Sequence, residues 1–170
     1  MTEKPVRKNN RLSFFDYDSA GVYFITVCTQ DRKCILSRIV GDGALGVPCV
    51  QLTQKGKIVE RYILSGNKME RITVDKYVIM PNHVHIILKV DMDRSGTPRA
   101  SSPTMAVIPR YVAAFKRLTH QQIGEKIFQR SYHDHVIRGE KDYLKIWEYM
   151  ENNPKQWELD CLFSEEDVCI

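Results

Sequence analysis

The sequence predicts an α+β fold: an antiparallel, ferredoxin-like split βαβ sheet with helices on one face and an appended C-terminal helix that carries a tyrosine. Three observations point there. Runs rich in β-branched and aromatic residues at 23–29, 72–80, 83–90 and 132–138 read as four strands. Helical periodicity fills the gaps between the first and second runs and between the third and fourth. Only Pro81 and Asn82 separate the middle two runs, which makes those strands antiparallel neighbours. A chain of 170 residues is long enough for one substantial core and short for two. One domain over 1–170 is expected, with a basic segment at 1–20, a mobile loop at 91–104 and a tail at 158–170.

Each element has its own justification. The first strand, 23–29, follows Gly21 and should be buried on both faces. Gly41, Gly43, Gly46 and Pro48 mark 41–48 as a loop. A helix is expected over about 53–64, with Ile58, Val59, Tyr62 and Ile63 as its apolar face. The second and third strands come next, and two histidines stand at the start of the third. Small, polar and proline residues from Arg94 to Pro103 predict a surface loop. From about 105 to 122, Ile108, Tyr111, Val112, Phe115 and Leu118 cluster on one side of a helical wheel, with Arg110, Arg117 and Gln121 opposite. The fourth strand leads to a helix over 140–153 that Pro154 must end. No internal repeat is visible.

Composition narrows the class without naming a function. A net charge of +4 permits an acidic partner but does not require one. Cys28, Cys34, Cys49, Cys161 and Cys169 form no CxxC pair, and their odd number argues against a disulfide framework, so reduced intracellular thiols are expected. The first eleven residues are polar and basic with no apolar stretch of the signal-peptide kind, and no segment is apolar enough to span a bilayer. The expected location is the cytoplasm, with no membrane partner.

His83 and His85 are the strongest chemical signal. Side chains at i and i+2 of a strand point to one face, so both imidazoles can reach one ion. Hydrogen-bonded core histidines are the plain alternative. A rival set adds His133 and His135, flanking Asp134 in the fourth strand, to make a four-histidine zinc site. On the last helix Tyr143, Ile146, Trp147 and Met150 form the apolar stripe, while Tyr149 lies off it and shares an edge with Asn153. A hydroxyl and an amide oxygen one turn apart can serve as nucleophile and metal ligand, or can be an exposed tyrosine and a helix-ending asparagine. Arg110, Lys116 and Arg117 on the second long helix can track a phosphate backbone, and Lys4, Arg7, Lys8 and Arg11 offer a second basic segment.

His83-Val84-His85, within Met80-Pro81-Asn82-His83-Val84-His85, resembles the histidine–hydrophobic–histidine (HUH) motif of single-tyrosine transposases that act on single-stranded DNA. The run from Tyr132 to Arg138, with Asp142-Tyr143, Ile146-Trp147-Glu148-Tyr149 and Asn153-Pro154, is similar to the REP-associated tyrosine transposase branch of that family. The likeness covers roughly 23–157. It implies that Tyr149 attacks a DNA phosphodiester to give a 5′-phosphotyrosine link and a free 3′-hydroxyl. It also implies that His83, His85 and Asn153 hold Mg²⁺ or Mn²⁺, that His133 and His135 lie near the site against DNA, and that the partner is single-stranded or hairpin DNA. Monomer and homodimer both stay open. Two alternatives accompany this reading: a non-catalytic hairpin-binding protein, and a zinc-dependent hydrolase using the four strand histidines.

Overall fold

The computed structural model describes residues 19–41, 48–92, 106–160 and 162–163. In chain order the elements are β1 (Gly21–Cys28), β2 (Ser37–Gly41), β3 (Pro48–Leu52), α1 (Gln54–Leu64), β4 (Ile72–Ile79), β5 (His83–Val90), α2 (Val107–Ile123), β6 (His133–Ile137) and α3 (Glu140–Asn152). β4, β5, β1 and β6 form one antiparallel sheet in that spatial order. The two βαβ halves therefore interleave, as the split arrangement requires. A short loop of backbone at Pro81 and Asn82 closes the β4–β5 hairpin, with the Met80 N–H donating to the His83 carbonyl.

Alternation along the strands sorts side chains between the two faces. Val84, Ile86, Leu88 and Val90 of β5 join Tyr23, Ile25 and Val27 of β1 in a core capped by Val59 and Ile63 of α1 and Ile108, Tyr111, Val112 and Phe115 of α2. The opposite face carries Ile87, Phe24, Val22 and Val78, covered by Met150, Tyr143, Ile146 and Trp147 of α3. Thus α1 and α2 share one face, and α3 is appended to the other.

Local chemistry fixes the helix ends. Thr53 caps α1, its hydroxyl accepting from the Gly56 N–H at 3.1 Å and donating to the Ile35 carbonyl at 2.7 Å. Gly56 is required there, because a Cβ would stand 2.0 Å from the Leu36 carbonyl oxygen. α2 stops at Gly124, whose φ of 85° is the left-handed conformation that closes helix C-termini.

Two differences from the sequence expectations stand out. β2 and β3 pair as a separate two-stranded ladder, Ser37 opposite Leu52 and Gly41 opposite Pro48, where only a loop at 41–48 is expected. The strands are five residues each and half-buried, too short for periodicity to announce them. The first strand is not buried throughout on both faces, since Phe24 within 23–29 is partly exposed. The expected segment at 1–20 lies almost wholly outside the described residues, as do 93–104 of the expected loop and 161 and 164–170 of the tail.

Candidate active site

The histidine pair lies on the α3 face of the sheet. Both rings are buried, His83 at 0% exposure and His85 at 2%, and their Nε2 atoms lie 3.0 Å apart. Each ring is held through its other nitrogen: His83 Nδ1 to Asn82 Oδ1 and His85 Nδ1 to Thr26 Oγ1, both at 2.8 Å. An amide oxygen only accepts, so Asn82 fixes the proton of His83 on Nδ1 and leaves Nε2 as a lone pair. Outer partners of this kind orient metal-bound histidines. Asn82 is fixed in turn, donating to the Leu162 carbonyl at 2.8 Å.

Burial holds His83 down to about 3, with the Arg32 charge acting the same way. Burial also lowers His85 well below its usual value, helped by His83 and opposed by Asp160. Both imidazoles are consequently neutral near pH 7, the form that binds metal. Arg32 and its neighbour Asp31 occupy left-handed backbone at φ 55°.

α3 brings the tyrosine to this pair. Tyr143 Oη donates to Asp75 Oδ2 at 2.5 Å, and Asp75 also accepts from Lys89 at 2.5 Å. Asp75 occurs at the register shift of the β4–β5 ladder, between Val74 and Lys76, which frees its side chain for this role. Lys76 lies 3.8 Å from the Trp147 ring centroid and pairs with Glu151. So anchored, α3 places the Tyr149 hydroxyl 3.2 Å from His85 Nε2, while the residue keeps 41% exposure. The phenolic hydroxyl thus meets a buried imidazole while the residue stays open to solvent.

A residue that the sequence does not single out completes the cluster. Beyond α3 the chain continues in 3₁₀ turns, Asn153–Leu159, and returns Asp160 to the site. Tyr149 Oη donates to Asp160 Oδ2 at 3.2 Å, and Asn153 Nδ2 donates to the same oxygen at 2.6 Å. Donor atoms of His83, His85 and Asp160 all lie within 4.8 Å of one another. Asn153 is buried at 3% exposure, and its Oδ1 has no hydrogen-bond partner. A buried acceptor left unpaired is costly unless something else satisfies it.

These residues fit a divalent ion. Two neutral imidazole nitrogens and a carboxylate make a mixed N/O donor set of the kind Mn²⁺ and related ions accept, and the orphaned amide oxygen belongs to a side chain hydrogen-bonded to that carboxylate. Adjacent ligands of an octahedral ion with bonds of about 2.1 Å stand roughly 3 Å apart, as the two Nε2 atoms do. The four-histidine set is not brought together. Thr26 of β1 pairs with His85 on one side and His133 on the other, so a whole strand separates the histidine pairs.

The residues expected to meet DNA divide. His133 and His135 are exposed on the same sheet face as His85. His135 Nε2 lies 2.8 Å from Asp142, which also accepts from the Arg138 N–H at the start of α3. Arg117 is exposed and Arg110 partly buried. Lys116 is turned inward, donating to the carbonyls of Gln129, Arg130 and Ser131 at 2.8, 3.3 and 2.7 Å. Three carbonyls match the three N–H bonds of an ammonium, and burial lowers Lys116 only to about 8, so it stays charged near pH 7. That residue clamps the segment entering β6, and the structure does not offer it to a phosphate.

The split antiparallel sheet, with α1 and α2 on one face and α3 on the other, is a fold that a known protein shares. A REP-associated tyrosine transposase solved bound to a REP hairpin superposes with a TM-score of 0.61 over 89% of this chain and 74% of that one, at 18% identity. The chain thus has the fold of a REP-associated tyrosine transposase. An uncharacterized protein of Haemophilus influenzae is 31% identical over 173 residues, covering 92% of this chain and 93% of that protein, and this chain belongs to its family. No family model matches the chain. Among the described residues, no helix is long and apolar enough to cross a membrane.

Proposed function

We propose that the protein is a metal-dependent nickase and strand transferase of single-stranded DNA, acting through Tyr149 at hairpin-forming sequences. The observation that carries this reading is the position of the Tyr149 hydroxyl, 3.2 Å from both His85 Nε2 and Asp160 Oδ2. A half-exposed phenol beside a buried neutral imidazole pair and a carboxylate has what nucleophilic attack on a phosphodiester needs: access, a proton acceptor and a cation site. The fold supports it too, since the solved transposase that shares it is bound to a REP hairpin.

In this mechanism Tyr149 Oη attacks the phosphorus, its bond to phosphorus forms and the bond from phosphorus to the 3′-oxygen breaks. Asp160 Oδ2 receives the phenolic proton, and solvent water supplies the proton that turns the departing 3′-oxygen into a 3′-hydroxyl. The reverse attack, by a 3′-hydroxyl on the phosphotyrosine, rejoins a strand. His83 and His85, with Asn153 Oδ1 and Asp160, are the residues that would hold Mg²⁺ or Mn²⁺. When bound, that ion polarises the phosphodiester and neutralises its charge. Asn82 and Thr26 keep the imidazoles oriented, and the Lys76 and Tyr143 contacts keep α3 seated.

The test is covalent capture. Wild type and Tyr149→Phe are incubated with labelled single-stranded hairpin DNA and Mn²⁺, then denatured and separated by size. We expect a DNA–protein adduct from wild type and none from the variant. Adduct from both in equal amount excludes Tyr149, and hairpin binding with no adduct from either protein across several hairpins and metals points to the non-catalytic binder.

A further inference from the structure

Next to the histidine pair is a cavity that the proposed chemistry does not use. It holds about 780 Å³ between the β2–β3 hairpin and the turns at Asn153–Leu159. Trp157 and Phe163 contribute aromatic surface, their rings edge to face with centroids 5.4 Å apart. Arg38 and Lys155, both exposed, stand at its wall, with the polar side chains of Gln156 and Glu158. On its inner side the Trp157 ring lies 5.9 Å from the His83 ring, centroid to centroid. The cavity and the reaction centre therefore share a wall.

We propose that this cavity receives the unpaired nucleobase beside the phosphodiester that Tyr149 attacks, with Trp157 as its stacking surface and Arg38 and Lys155 on the adjoining phosphates. The inference rests on the DNA-processing reading above and adds where the flanking strand goes. Several features favour a nucleotide over a purely apolar ligand. The volume lies within the range of small-ligand sites, which is about 300–1,000 Å³. Indole is the largest π-surface a protein has, and base–aromatic stacking with flanking cations is how sequence-tolerant sites hold single strands. Gln156 offers both a donor and an acceptor to a base edge, and Glu158 an acceptor. The site also acts mechanically: a base held beyond the imidazoles fixes the register of the strand, and hence which phosphorus meets Tyr149.

Base and backbone can be separated with two probes of equal charge. One is a fluorescein-labelled oligothymidylate, and the other is the same oligonucleotide with abasic sites in place of every base. Anisotropy titrations of the full chain in EDTA measure both affinities without cleavage. Wild type should bind the base-bearing probe about tenfold more tightly, the order of one stacking interaction. Trp157→Ala should lose that preference while still binding the abasic backbone, and Trp157→Phe should keep part of it, which separates loss of stacking from loss of fold. Arg38→Ala should weaken both probes alike. If Trp157→Ala keeps the full preference, the base lies elsewhere and the cavity proposal fails while the DNA reading stands. If wild type binds neither probe, nor any labelled hairpin, the DNA reading fails and takes the cavity proposal with it.

Discussion

The two faces of the four-stranded sheet obey different rules although the same strands make both. Toward α1 and α2, β5 presents Val84, Ile86, Leu88 and Val90, each 4% exposed or less, against an apolar layer. Toward α3 the same strand presents His83, His85, Ile87 and Lys89, and most of that row is polar. The first face is optimised for burial, with Tyr111 Oη satisfied by the Ile63 carbonyl at 3.2 Å. The second keeps two neutral imidazoles and an unpaired amide oxygen away from water. A protein selected only for stability has no reason to accept that cost. One face holds the fold together, and the other uses the rigidity so obtained to hold its polar groups in place.

Truncation on the apolar face should give the largest effect. Phe115→Ala removes a ring 2% exposed that stacks on Tyr111 at 6.3 Å and packs on Phe128 at 5.2 Å. Urea denaturation should show a loss of about 3–5 kcal/mol. Ile146→Ala on α3, half-buried, should lose only about 1 kcal/mol. Equal losses at the two sites would mean that the faces are not energetically distinct.

A second contrast runs within α2, between adjacent residues. Lys116→Met leaves three carbonyls without their charged donor and should cost about 1–3 kcal/mol. Arg117→Ala should leave stability within about 0.5 kcal/mol, since the side chain is exposed. Under the proposed function it should instead lower the salt dependence of hairpin binding by about one unit of slope. Salt titrations on both variants test the pair, and a salt slope changed only in Lys116→Met would reverse the assignment.

Acid should act through the polar face. His83 is held near 3 in the fold against about 6.5 unfolded, and His85 is shifted in the same direction. Below pH 6.5 the unfolded chain takes up protons that the native chain refuses, so this contribution is complete above pH 6.5 and is lost as pH falls toward 3. His83 alone should lower stability by about 1–2 kcal/mol between pH 6.5 and 5, and His85 acts in the same direction. His83→Asn should flatten that slope in metal-free urea melts, and an unchanged slope would show that His83 does not titrate as a buried neutral group.

The legibility of the sequence divides along the same line. The four sheet strands and three helices are legible because alternation and helical periodicity report burial against a layer, and the ends of β5 agree to the residue. His83, His85, Tyr149 and Asn153 are legible from spacing along a strand and a helix. Asp160 is not, because Pro154 marks the end of α3 and 158–170 reads as a tail, whereas the turns at Asn153–Leu159 return it to the site. Trp157, just ahead of that tail, is the available signal: a solvated segment there would expose a large apolar ring, so its presence argues for docking. Lys116 misleads for a related reason. A wheel gives the direction of a side chain on its own helix but not the loop at 129–131 that bends over to meet it.

The smallest expected effect tests how the two faces are joined. Tyr143 contributes its ring to the apolar contact under α3 and its hydroxyl to Asp75, which burial would otherwise raise but which Lys89 and Tyr143 hold below the usual carboxylate value. Burial and Asp75 together push Tyr143 up to about 12, so its hydroxyl stays protonated and donating across the physiological range. Tyr143→Phe keeps the ring and removes only that donor, with Lys89 still pairing Asp75 at 2.5 Å. A loss of about 0.5–1.5 kcal/mol is expected in urea melts. The informative readout is the reaction centre further along α3. If the helix is seated mainly by Met150 and the Lys76–Trp147 contact, adduct formation by Tyr143→Phe should fall by no more than a few-fold. A loss as complete as that expected for Tyr149→Phe would mean that the Asp75 hydrogen bond, on the bulge of β4, sets the position of the phenol, and that α3 is aligned from its N-terminal end rather than by its packing.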